Sequence, residues 1–422
     1  MTSERQCFVY IVPPGSTKFV TAGRFQISQT REGIPIGEFV YGKKYMERID
    51  AVEFDPVELR LSQLHYKTVK LNGFFGAIRD AMPDFWGRKI IECHIGKTNL
   101  DEFDYLMYGA DDHAGALGFG LNVTPPAPRK HFNKTLDLEL VQEMAEIILR
   151  NENSTNFPLT DLQQVQEFLL EGTSMGGARP KAVVEDDNSL WIAKFGSPYD
   201  RWNFPLVEFS LLNLAEKCGI NIVDHKMTRV ANKDVLMVRR FDRNKSEKGY
   251  SRYRMVSALT LLKSDDNPTV RENWSYLILA DEIRRISAHP KVDLQELFKR
   301  MCFNALVSNL DDHPRNHAIL AKDKAWQLSP AYDLTPTPSI AKETRNLALS
   351  CGLYGRSAQK NNLLSGCDRF LLSKENAENI INNMVKIIGD EWYSTFRYAG
   401  VSEQDCQRVS SAFLNEGFFY AM

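Results

Sequence analysis

The sequence predicts an α+β fold built in two parts, and three observations predict it. Short runs rich in β-branched and aromatic residues dominate the first half. A glycine-rich loop then leads into a hairpin pattern. From about residue 250 the apolar spacing turns helical, and a dense polar cluster, NLDDHPRNHAILA (309–321), lies in that helical half.

Taken in order, CFVYIV and KFVTAGRFQI read as strands separated by the VPPG break, and GALGFGLNV (Gly115–Val123) as another. TPPAPRK (Thr124–Lys130) is a linker, because its prolines stop regular structure. Apolar residues three and four apart predict helices over Leu136–Leu149 and Thr160–Leu170. EGTSMGGARPK follows as a glycine-rich loop, and AVVEDDNSLWIAKF as a β-hairpin. FPLVEFSLLNLAEKCG (Phe204–Gly219) is a helix stopped by Gly219, and KMTRVANKDVLMVRRFDR two strands about an Asn-Lys-Asp turn. VDLQELFKRMCFNALVSN is an amphipathic helix with Asp293 as its N-cap, and it runs straight into the polar cluster. Asn376–Gly389 is a further helix. A strand-rich half with a glycine loop, then a helical half with a polar cluster, is the layout of a bilobal nucleotide-dependent phosphotransferase.

Composition narrows the classes. At 422 residues the chain exceeds what one hydrophobic core usually serves, which is about 250–300 residues, so two or more domains are expected. A formal net charge of −2 leaves no general electrostatic footprint for nucleic acid, so any DNA would be contacted mainly through a partner. The seven cysteines are scattered, with no C-x-x-C, which suggests free thiols rather than disulfides or zinc. The opening apolar run is too short for a signal peptide, and no run of 18 apolar residues follows, so a cytoplasmic protein without membrane association is expected.

The chemistry-bearing residues fall into four groups. Asp311 and Asn316 stand five apart, the spacing of a kinase catalytic loop, where Asp accepts or orients the hydroxyl proton and Asn holds magnesium. Here His313 follows the Asp, giving D-x-H-x-x-N, an order that resembles lipid-kinase-like and other atypical kinases; a polar helix-to-loop junction is the plainer reading. Asp333, in QLSPAYDLTPTP, comes some twenty residues later, where a kinase places its main magnesium ligand, although Tyr-Asp before Thr-Pro is also turn chemistry. Lys194 ends the apolar LWIAKF and can reach nucleotide phosphates; a unit charge pair about 4 Å apart is worth about 4 kcal/mol at an effective dielectric of about 20. Glu208, on the next helix, is placed to hold that lysine. The loop Gly172–Lys181 is no Walker A motif, since Ala-Arg stands where Lys-Ser/Thr is needed, yet its glycines let backbone N–H groups approach phosphates, with Arg179 and Lys181 adding charge. VRRFDR (Val238–Arg243) ends the strand half, where a hinge to adenine would lie.

These pieces occur in the order a kinase requires, and SMGGARPKA, RRFDR, NLDDHPRNHAIL and LSPAYDLTPTP resemble signatures of the HipA family, the Ser/Thr-kinase toxins of bacterial toxin–antitoxin pairs. MPDFWGRKII (Met82–Ile91) and GALGF (Gly115–Phe119) resemble that family too, so the likeness covers nearly the whole chain. It implies a protein-kinase-like bilobal fold with an added N-terminal subdomain over 1–125, the ATP-binding part of the N-lobe over 126–250 and an all-helical C-lobe over 251–422. It also implies ATP and Mg2+ as cofactors and a HipB-like helix-turn-helix antitoxin as partner, with DNA reached only through it. The substrate would be a cellular protein whose phosphorylation arrests growth; in some relatives this is an aminoacyl-tRNA synthetase of the translation machinery.

Carried over residue by residue, Asp311 would be catalytic, and Asn316 and Asp333 would bind magnesium. Lys194 would hold phosphates. Gly176, Gly177, Ala178, Arg179, Pro180 and Lys181 would form the nucleotide loop, and Arg239, Arg240 and Phe241 the adenine-side hinge. His313 belongs to the ATP-binding set as a loop-ordering residue. Ser174 matches the serine that family members autophosphorylate; a phosphate there would add a charge of about −1.5 to −2 to a loop that must approach ATP, switching the enzyme off.

Three rivals remain. A metal hydrolase could use His313 and His317, but Pro314 between them breaks the helix that would align both rings, and there is no H-E-x-x-H base. A non-catalytic binding module would tolerate lost positions, whereas every expected kinase position is present. A small-molecule or lipid kinase would share D-x-H-x-x-N. Phe85 and Trp86 are expected in the core, with any exposed part open to an antitoxin.

Overall fold

The computed structural model describes residues 5–109, 111–127, 132, 138–150, 177, 179–186, 189–267, 269, 271–339, 341 and 343–420. These fall into two compact units, each discontinuous along the chain: Met1–Pro198 with Arg229–Val256 and Leu320–Lys324, and Tyr199–Thr228 with Ser257–Ile319 and Ala325–Met422. Helices of seven or more residues are numbered below.

In the first unit, β1 (Arg5–Ile11), β2 (Val20–Gln29), β3 (Pro35–Tyr41), β4 (His65–Thr68) and β5 (Leu117–Gly120) form an antiparallel sheet in the order β4-β3-β2-β1-β5. β1, β2 and β5 answer to the three strand-like runs at the start of the chain. Helices α1 (Phe85–Ile95) and α2 (Glu102–Tyr108) follow β4. Asp84 caps α1 by accepting from the Gly87 N–H, and Gly96 ends it in the left-handed conformation. α3 (Leu138–Arg150) lies where apolar spacing put a helix; the expected helix 160–170 and Ser174, Gly176 and Ala178 lie outside the described residues.

The second sheet of this unit is the expected hairpin, β6 (Lys181–Asp186) paired with β7 (Ser189–Lys194) in a register that sets Lys181 opposite Lys194. β8 (His225–Val230) runs through left-handed Ala231 and Asn232 into β9 (Lys233–Arg239), which pairs with β7. Alternation sorts the faces. Ala182, Val184, Ala193, Phe195, Val235 and Met237 pack under Trp86 and Ile90 of α1 and Leu138, Val141, Ala145 and Ile148 of α3. Val183 and Leu190 face the other way, toward Phe132 and Tyr250. Tyr250 belongs to β11 (Gly249–Arg252), which pairs with β10 (Arg243–Ser246). The neighbours Phe85 and Trp86 separate accordingly: Trp86 is 1% exposed, Phe85 68%.

The second unit holds α4 (Phe204–Lys217), α5 (Tyr276–Ile286), α6 (Pro290–Leu306), α7 (Lys374–Ala399) and α8 (Glu403–Val409). α4 ends where Gly219 turns left-handed, as its sequence implied. α6 starts one turn earlier than expected, at Pro290 after His289. Asp293 is therefore inside the helix and is not its N-cap. Its carboxylate instead accepts from the Ser287 hydroxyl (2.6 Å) and the Leu328 N–H (2.9 Å), tying α6 to strand β14 (Trp326–Leu328). β14 follows β13 (Ala318–Ala321), and Ser329 N–H donates to Ala318 O, so this half is helical with a small strand pair beside the polar cluster. None of the described helices is long and apolar enough to cross a membrane.

Candidate active site

The polar cluster begins where α6 stops. Its last turn is buried, Ser308 adopts a left-handed conformation, and the Asn309 amide donates to Asn304 Oδ1 (3.1 Å), so the chain leaves the helix along a set path. Asp311 and Asp312 then point to opposite environments. Asp312 is 1% exposed and accepts from the Tyr276 hydroxyl and from His317 Nε2 at 2.9 Å. Tyr276 also receives the Asn304 amide (3.1 Å), which closes a buried network from α5 through α6 to the loop. Desolvation and Asp312 together push the Tyr276 hydroxyl well above its usual range, so it stays a donor.

Asp311 is left exposed at the mouth of this scaffold. Its carboxyl is raised from the ordinary aspartate value, first by desolvation on its protein side and then by the charges of Asp333 and Asp312, while His313 and Arg271 oppose the rise. Asp333, 22 residues away in sequence, is thus an electrostatic neighbour of Asp311. Two clamps hold it there. Tyr332 donates its hydroxyl to Arg315 O (2.8 Å), and Ala331 is bonded on both sides to the 221–223 segment. Asp333 itself has φ 59°, a left-handed conformation uncommon outside glycine, although Asn and Asp adopt it more readily than other residues, and one that gathers at functional sites.

Asn316 donates its amide to Asp311 O (3.2 Å), and its backbone N–H bonds His313 O in a short 3-10 turn starting at Pro314. Arg315 grips Asp266 through two bonds, 2.8 and 2.7 Å, steadying the turn from outside. The spacing therefore does bring Asp311, Asn316 and Asp333 together. His313 shapes the loop through its backbone, and among the described residues its buried Nδ1 has no hydrogen-bond partner. His317, the other half of the two-histidine metal reading, has Nε2 engaged by Asp312 and Tyr276. Among the described residues no group of three or more His, Cys, Asp or Glu side chains gathers as a metal cage. A pair of carboxylates close enough for Asp333 to raise the Asp311 carboxyl, with Asn316 on the same loop, suits a hard divalent cation that also keeps waters and phosphate oxygens.

The remaining expected residues lie in the first unit, except Glu208, which is 5% exposed on α4 of the second and so is no surface charge. Lys194 is half-buried at the end of β7. Arg239 and Phe241 are half-buried, but Arg240 is 2% exposed and wholly committed. It pairs with Asp112 and with Asp242 (2.9 Å), and Arg243 joins the same two carboxylates at 3.1 and 2.7 Å. Both acids are held below the carboxylate range by these guanidinium groups against the opposing effect of burial. Arg240, expected in the adenine-side hinge, therefore has its side chain committed to these carboxylates, and its backbone N–H already donates to Leu190 O. Lys181 departs from expectation as well. It is 3% exposed, with Nζ bonded to Asp84 (2.6 Å) and Gly177 O (2.9 Å). Sequence reasoning missed Tyr276, Asp84 and the Asp112–His113 pair. The Asp before FWGRKII was the available signal for a cap.

A family model described as HipA-like C-terminal domain matches residues 173–392, just over half the chain and nearly the whole of the stretch from glycine loop to Asp333. The chain belongs to this family. A HipA toxin is also its structural likeness: a chain from the Shewanella oneidensis MR-1 toxin–antitoxin complex of HipA, HipB and operator DNA aligns over 96% of this chain and 94% of its own with a TM-score of 0.68. Their 16% identity means that this likeness speaks for the fold. The Sinorhizobium fredii (strain NGR234) protein named "Putative kinase Y4mE" is 26% identical over 154 residues, and the match spans about a third of each chain, 34% of this one and 35% of that one. In this HipA-like chain the family match includes every residue of the Asp311–Asn316–Asp333 group and Lys194.

Proposed function

We propose that the protein is an ATP-dependent serine/threonine protein kinase that acts as the toxin of a HipA/HipB-like pair in the cytoplasm, with a helix-turn-helix antitoxin as partner. The observation that carries the reading is the convergence of Asp311, Asn316 and Asp333 on one loop scaffold within a HipA-like chain. Asp311 orients the acceptor hydroxyl and takes its proton as the oxygen bonds to the γ-phosphorus and the bond to the leaving ADP oxygen breaks. A carboxyl raised above the ordinary aspartate value is the stronger base for that step. Asn316 and Asp333 hold magnesium, which neutralises phosphate charge when bound. Lys194 steadies the nucleotide phosphates and Glu208 that lysine, the backbone of Arg239–Phe241 serves adenine, and Ser174 is the site of inactivating autophosphorylation.

The test is incubation of purified protein with labelled ATP, magnesium and a cell extract, beside the Asp311→Asn variant. Label on Ser174 and on one extract protein, absent in the variant, is the expected result. Equal labelling by both proteins, or label entering only small molecules, overturns the reading.

A further inference from the structure

Among the described residues, the least exposed charge of the proposed nucleotide loop is turned into the protein. Lys181 closes that loop and opens β6, and its ammonium is buried against two groups of the first unit. Nζ bonds Asp84 Oδ2 at 2.6 Å and Gly177 O at 2.9 Å, and the Lys181 carbonyl accepts from Trp86 Nε1 at 3.1 Å. Asp84 has its other oxygen on the Gly87 N–H as the cap of α1, and its side chain is 10% exposed. Trp86 is fixed in the core between α1 and the sheet. So α1, contributed by the N-terminal stretch MPDFWGRKII, grips the C-terminal end of the loop by side chain and backbone at once. The loop is fitted to this grip: Gly177 has φ +106°, and a Cβ there would stand 3.2 Å from the Lys181 ammonium.

We propose that Asp84 and Lys181 form a latch by which the N-terminal helix holds the end of the glycine loop at Gly177 and Arg179–Lys181, making Lys181 a positioning residue rather than a phosphate ligand. This rests on the kinase reading for its functional consequence. A buried ammonium with its carboxylate satisfied has no reason to leave for a solvated phosphate, because the exchange would strand Asp84. The latch also makes nucleotide affinity depend on whatever moves α1, through a contact absent from the loop sequence itself.

The experiment compares full-length wild type with Asp84→Asn, Lys181→Gln and the double variant, whose amides can bond each other without leaving a charge. ATP binding is read by calorimetry, and amide hydrogen exchange at Gly177, Arg179 and Lys181 without nucleotide. Each single variant is expected to weaken ATP binding by about tenfold and to speed exchange at those amides, and the double variant to recover most of both. If Lys181 instead reaches the phosphates, Asp84→Asn frees it and binding holds or tightens while Lys181→Gln alone loses it; that pattern sinks the latch. Exchange unchanged in all three variants, with thermal unfolding intact, sinks it as well. Should wild type bind no ATP, the kinase reading fails by itself, and the exchange pattern still decides the latch.

Discussion

Acidification tests the interior of the first unit through His113. The imidazole is fully buried, with Nδ1 2.8 Å from Ala81 O and its ring edge-on to Phe119. Desolvation depresses its pKa from 6.5 to about 4, helped by the charges of Arg252 and Arg243. Between those values the unfolded chain binds a proton that the folded protein refuses, so stability rises with pH across the window. The contribution is fully present above pH 6.5 and is lost as pH falls toward 4. At pH 5, about 1.5 units below the ordinary value, the loss is about 2 kcal/mol at about 1.4 kcal/mol per unit. Asp55 works in the opposite direction. Its buried carboxyl is raised to about 6, chiefly by desolvation, so its penalty at neutral pH is relieved below 6, returning about 1.4 kcal/mol at pH 5. The two nearly cancel, and a flat wild-type profile would hide both. The measurement is therefore a difference: urea unfolding of wild type and His113→Asn at pH 7 and pH 5. Wild type should lose about 2 kcal/mol more than the variant. Parallel profiles would show that the imidazole titrates as a hydrated histidine and refute the burial argument.

Two more perturbations address the site and its support. Asp333→Asn keeps a residue that tolerates φ 59° but removes the charge of the proposed magnesium ligand, so phosphoryl transfer should fall by about 100-fold or more while thermal unfolding shifts little; a rate within about threefold of wild type would exclude the ligand role. Asp112→Asn strands Arg240 and Arg243 on Asp242 alone and should destabilise the protein by about 3–5 kcal/mol, seen as a fall in Tm of about 6–20 °C by calorimetry; an unchanged Tm would mean the cluster is hydrated in solution.

How much of this was legible in the sequence follows from what each residue's role depends on. Strands and helices whose apolar residues keep one period were readable, because the period itself places the buried face: β6 shows it with Ala182 and Val184 on one side and Val183 on the other. The convergence of Asp311, Asn316 and Asp333 was readable because their spacing is imposed by one loop and one short hairpin, local constraints that a chain carries in order. The burial of Arg240 and Lys181 against carboxylates was hidden for the complementary reason. Each is a cation in a motif, and a cation's neighbours decide whether it meets solvent, ligand or a buried carboxylate. Those neighbours, Asp112 and Asp84, lie 128 and 97 residues away in sequence. No local pattern could announce them. Asp293 was lost to a smaller effect, a helix that starts at a proline one turn upstream of the expected cap.

The adjacent carboxylates of the opening cluster show why such a motif cannot be assigned by composition. Asp311 and Asp312 differ in nothing that sequence shows, yet one is exposed with a raised carboxyl and the other is buried between Tyr276 and His317. Their fates are linked. A base at the mouth of a site must hold still against a charge such as Asp333, which repels it. The chain cannot anchor Asp311 by its own carboxylate without neutralising the group that the chemistry needs. Anchoring the next residue instead leaves the base free and its backbone held. His317 then has its place explained without a metal. It bonds the anchor, and with Tyr276 and Asn304 it spreads that anchor over two helices.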